Sequence, residues 1–103
     1  MTVTAITATN IVKRYAANIA YVAEAKPATD LDSFIDQLET ATIRFDRAGI
    51  NGHEELETVR IFLAEALYNT DDDTERAVLL RKADKLLKPV WDMTDEYRGM
   101  VGD

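Results

Sequence analysis

The single histidine of the chain opens the string His53-Glu54-Glu55-Leu56-Glu57, and here the residue types come nearest to chemistry. A zinc hydrolase needs two histidines one helical turn apart, a glutamate between them as general base, and a third protein ligand. Glu57 stands where the second histidine would, and no other histidine and no cysteine is present to complete a nitrogen- or sulfur-rich set. The same residues read well as the entrance to a helix: Asn51 can cap it, and Glu54 and Glu55 favour the positive end of the helix dipole. If Glu54 and Glu57 held a metal, their partners would have to come from the same end of the molecule, which Asp95 and Glu96 could reach.

A second carboxylate arrangement is Glu54-x-x-Glu57 followed by Asp72-x-x-Glu75. It resembles the four-carboxylate magnesium site of the all-α, MazG-like NTP pyrophosphohydrolases, and the resemblance implies a metal-dependent phosphohydrolase with Glu54, Glu57, Asp72 and Glu75 as ligands. The family's second pair runs Glu-x-x-Asp, reversed relative to this chain. Both pairs also fall at helix starts, and in an antiparallel hairpin those starts are roughly 25 Å apart at 1.5 Å per residue. A shared ion needs its carboxylates within a few Å. This enzyme reading is therefore the alternative, and neither a cofactor nor a metal is expected. Thr70 to Glu75 lacks the length and central glycine of a calcium loop; Asp72 and Glu75 instead form a capping-box pair.

Arg81, Lys82, Lys85 and Lys88 make a basic stripe alongside Arg76. No aromatic residue is interleaved for base stacking, so a solvated face is expected rather than nucleic-acid binding. The one serine, Ser33, gives little support to a nucleophilic triad.

These residues must be positioned by helices. Leu31, Phe34, Leu38, Ala41, Phe45 and Ala48 recur at intervals of 3 and 4, the period of one helix stripe. The spacing predicts a helix over 30–48, capped by Thr29 and stopped by Gly49, with Ile50 folding back as an apolar contact. Similar stripes predict helices over 5–25, ending before Pro27, and over 53–68. The last, over 73–100, carries Leu79, Ala83, Leu86, Val90, Met93 and Tyr97 in register across Pro89, which must kink or break it. Four amphipathic helices with short connections predict an all-α, antiparallel up-down-up-down bundle.

Composition bounds the rest. With 103 residues and 47% hydrophobic content the chain suits one domain. The absence of cysteine and of a long apolar run leads us to expect a cytoplasmic protein without membrane contact. Nineteen acidic against 12 basic side chains give a net charge of -7, which disfavours direct nucleic-acid binding. Some apolar residues lie off the helix stripes: Leu80, Leu87 and Trp91 on the last helix, Ile61 and Tyr68 on the third, and Ile43 and Tyr21. The expectation is a non-enzymatic protein-protein interaction module that binds another protein or its own copy through Ile61, Tyr68, Leu80, Leu87 and Trp91. One specific form is a small acidic inhibitor or adaptor of phage type, covering the nucleic-acid-binding surface of its target.

Overall fold

The computed structural model describes residues 7–100. Of the described residues 82% are helical, and no strand occurs among them. No helix there is long and apolar enough to cross a membrane.

Helix α1, Ala8–Ala23, begins at Thr7, whose hydroxyl accepts from the Asn10 amide at 3.1 Å. The start expected at residue 5 lies outside the described residues. The helix stops two residues earlier than expected because Glu24 adopts a left-handed conformation (φ 57) and turns its amide onto the Ala20 and Tyr21 carbonyls. Helix α2, Leu31–Ala48, is capped by Asp30 rather than Thr29: Asp30 Oδ1 accepts from the Ser33 amide at 2.8 Å. Gly49 ends it with φ 75, and the buried Ile50 returns its amide to the Phe45 carbonyl at 2.9 Å, as expected from its place after the glycine.

Helix α3, His53–Ala64, starts without a side-chain cap, since Gly52 (φ 99) and not Asn51 holds the capping position. It closes as a π turn over Glu65–Asn69. Helix α4, Asp73–Leu87, is capped by Asp72, which accepts from the Thr74 amide at 2.9 Å. The helix is interrupted by a turn at Lys88 and Pro89, although Lys88 keeps helical dihedrals (φ -52, ψ -41), and resumes as α5, Val90–Met100, so the last helical segment is bent by 39°.

The directions of these helices correct the expected alternation. Arg14 and Tyr15 meet Asp84, the Tyr15 ring meets Trp91 at 5.7 Å between centroids, and Tyr21 meets Tyr97 at 6.5 Å. Residue numbers rise together along this contact, so α1 runs parallel to α4 and α5. Helix α3 opposes its neighbours: Asp46 pairs with His53 and Asp32 with Tyr68 on the α2 side, while Lys82 lies over Phe62 on the α4 side. Thus α1, α2 and α4–α5 share one direction, and α3 alone runs against them.

The device that permits this is the connection over residues 24–30. Instead of turning sharply, the segment returns along α1, so that Pro27 and Ala28 line one cavity with Val12 and Ala16. At its other end α2 places Arg44 on the Val22 carbonyl (2.8 Å), beside the end of α1. Seven extended residues reach about 24 Å, the length of a 16-residue helix, so the segment suffices for a crossover. One contiguous core results, built on Tyr15, Phe34, Leu38, Phe45, Leu56, Leu63 and Leu87. Its lower end is closed by Tyr97, packed edge-on against Phe45 and Tyr21.

Candidate functional site

The outer faces of α2 and α3 carry exposed apolar residues set among carboxylates. On α2, Asp32, Asp36, Glu39 and Ile43 recur at 4, 3 and 4, opposite the buried Leu31, Phe34, Leu38 and Phe45. On α3, Ile61 and Tyr68 are 46% and 62% exposed. The π turn sets the position of Tyr68. One extra residue in a helical turn rotates everything after it, and here the Tyr68 hydroxyl is delivered to Asp32 on α2. That hydrogen bond, then desolvation and the Asp32, Asp36 and Asp30 charges, raise the Tyr68 pKa.

Arg76 holds the π turn closed. Its Nε donates to the Ala66 carbonyl at 3.0 Å and its Nη2 to the Thr70 carbonyl at 2.8 Å, while Nη1 pairs with Asp73 at 2.7 Å. One guanidinium therefore satisfies helix-end carbonyls that would otherwise lack partners.

The five predicted contact residues separate. Ile61, Tyr68 and Trp91 are exposed, Trp91 by 51%. Leu80 and Leu87 are buried, at 5% and 0% exposure, which removes them from any surface. The reason is that α4 is buried on two sides, packing on α3 and, through Leu80, Asp84 and Leu87, toward α1. Trp91 belongs to the α1–α5 side, where its ring covers Tyr15, whereas Tyr68 belongs to the α2–α3 side.

Sequence reasoning passed over a buried polar centre. Asp84, 4% exposed, accepts at Oδ1 from the Tyr15 hydroxyl at 2.9 Å and from Arg14 Nη1 at 3.2 Å. Burial, followed by the hydrogen bond to Asp84 and its negative charge, pushes the Tyr15 phenol up to about 12, against a smaller opposing effect of Arg14. The available signal was an aspartate midway along the apolar row Leu80, Asp84, Leu87, spaced 4 and 3.

Two of the four carboxylates of the alternative enzyme reading have other partners. Glu57 pairs with Arg60, and Asp72 caps α4. His53 donates from Nδ1 to the Ile50 carbonyl (3.0 Å) and faces Asp46 through Nε2 at 3.1 Å. The carbonyl contact, and then Asp46, Glu54 and Glu55, raise the His53 pKa against an opposing desolvation. Glu55, Asp92 and Glu96 line one cavity of about 320 Å³ together with Pro89 and Met93. Asp95 instead pairs with Arg98 at 3.5 Å. Among the described residues, no group of three or more His, Cys, Asp or Glu is arranged to hold a metal ion.

Compared with known proteins, the chain matches no family model, no curated protein and no solved structure.

Proposed function

We propose that this chain is a non-enzymatic helical binding module that receives a basic protein surface on the outer face of α2 and α3. The observation that carries the reading is the juxtaposition of the exposed apolar residues Ile43, Ile61 and Tyr68 with the acidic row Asp32, Asp36 and Glu39. An apolar contact rimmed by charge of one sign is the usual make-up of a selective interface: the apolar side chains supply affinity, and the charge supplies approach rate and partner choice. The net charge of -7 reinforces the preference for a basic partner. A small acidic cytoplasmic inhibitor that covers a nucleic-acid-binding surface is the specific form this chemistry favours.

The test is photo-crosslinking from a reactive residue at position 61 in the native host. The expected result is capture of a basic protein, with capture lost on Asp36→Lys combined with Glu39→Lys. Unchanged capture by that charge-reversed variant overturns the reading.

A further inference from the structure

Helix α4 carries an exposed basic stripe, of which only Lys82 leans on a neighbouring helix, over the Phe62 ring. Arg81, Lys82, Lys85 and Lys88 are all exposed, and none forms an ion pair among the described residues. Arg14, Arg44, Arg60, Arg76 and Arg98 are each paired with a carboxylate, and the other cations unpaired among the described residues, Lys13, Lys26 and Arg47, stand singly on other segments. Val78, 40% exposed, continues the stripe one turn toward the start of α4. Helices α2 and α4 both pack on α1 and α3, so they lie across the bundle from each other and their outer faces point in opposite directions.

The two stripes match in order and spacing. Along α2 the residues are Asp32, Asp36, Glu39 and Ile43, at intervals of 4, 3 and 4; along α4 they are Val78, Arg81, Lys85 and Lys88, at intervals of 3, 4 and 3. Laid antiparallel, Ile43 meets Val78, Glu39 meets Arg81, Asp36 meets Lys85 and Asp32 meets Lys88. The rows differ by one residue in length, about 1.5 Å along a helix. A parallel alignment would set Val78 against Asp32 and Ile43 against Lys88.

We propose that the basic α4 face docks antiparallel on the acidic α2 face of a second copy of this chain. The proposal rests on the α2–α3 face being a contact surface and names one occupant for it. Because the two faces are on opposite sides of one molecule, the contact is heterologous: each copy keeps one free face, and association is open-ended rather than a closed dimer. The net charge of -7 opposes it only at long range. At physiological salt the Debye length is about 8 Å. That is well below the 23 Å minimum extent of the bundle, while the matched side chains meet within that distance.

The test is sedimentation velocity at physiological salt with two charge-reversed variants, each first checked for native helicity. Asp36→Lys with Glu39→Lys destroys the acidic face and keeps the basic one; Lys85→Glu with Lys88→Glu does the opposite. The expected result is concentration-dependent association of the wild type, monomers for each variant alone, and restored association when the two variants are mixed, since the native α4 face of the first meets the native α2 face of the second and the two reversed faces complement each other as well. A monomeric wild type at the highest soluble concentration, or a mixture that stays monomeric, overturns the proposal. Retention of host-partner crosslinking from position 61 in that case leaves the binding-face reading standing, so the two failures are distinguishable.

Discussion

The Tyr15 hydroxyl donates to Asp84 Oδ1 across 2.9 Å, joining residues 69 apart in the chain and tying α1 to α4. Neither group is free to recover water, because Asp84 is 4% and Tyr15 1% exposed. We predict that Tyr15→Phe lowers unfolding free energy by about 1–2 kcal/mol and Asp84→Ala by about 2–4 kcal/mol, the latter also stranding the phenol. The double variant Tyr15→Phe with Asp84→Leu should be less destabilised than Asp84→Ala, since replacing both partners removes the polar requirement and Arg14, half exposed, can turn to solvent. Urea denaturation of the four proteins measures this, and a double variant as unstable as Asp84→Ala would contradict it.

Tyr15 also gives an alkaline prediction. Its folded-state value is about 12 against 10 in the unfolded chain. Between those values the unfolded phenol loses its proton while the folded one keeps it. The Tyr15 contribution is therefore whole below pH 10 and falls as pH rises toward about 12. Ultraviolet titration should show a late-ionising component that is lost in Tyr15→Phe, while the raised Tyr68 remains.

His53 supplies a second pH dependence, near neutrality. Its folded-state pKa is raised above 6.5 by the Ile50 carbonyl and the surrounding carboxylates, so the folded protein holds the proton more tightly than the unfolded chain. Its contribution is complete below pH 6.5 and is lost as pH rises through the folded value. Nuclear magnetic resonance titration of the ring should give a midpoint above that of an unfolded control, moving down on Asp46→Asn. A midpoint unaffected by that substitution would assign the shift elsewhere.

At Gly52 the backbone has φ 99, and a Cβ would overlap Met93 Cε on α5. Gly52→Ala should cost about 1–3 kcal/mol, from the left-handed strain and the collision together. Combining it with Met93→Ala separates the two: the pair should be less destabilised than the sum of the single variants, because the shortened side chain removes the collision and leaves only the backbone term.

Arg76 closes the π turn through two carbonyls. Arg76→Ala should cost about 1–3 kcal/mol and raise amide exchange over residues 65–70 more than in α2. Arg76→Lys should behave almost like alanine, because one ammonium cannot reproduce the fork that reaches Ala66 and Thr70 together. Hydrogen exchange resolved by residue checks both.

The helix faces were legible in the sequence because period alone sorts them. Phe34, Leu38, Ala41 and Phe45 are buried as their 4- and 3-residue spacing requires, and Gly49 stops α2 where only a left-handed residue fits. The contact set was less legible. Leu80 and Leu87 fall off the main α4 stripe, and a helix wheel cannot tell a flank covered by a second neighbour from one left in water. Asp84 was missed for the same reason, as its neighbours Tyr15 and Arg14 are remote in sequence.

What the sequence determined by itself is local: where helices start and stop, which side of each is apolar, and the order of charge along α2 and α4. The tertiary structure decided the direction of α1. A seven-residue connection around Pro27 is long enough either to turn or to cross back, and local propensities do not distinguish the two. The crossover lets Tyr15 reach Asp84, Trp91 cover Tyr15, and Tyr21 and Phe45 close on Tyr97, contacts between distant segments that no local pattern encodes.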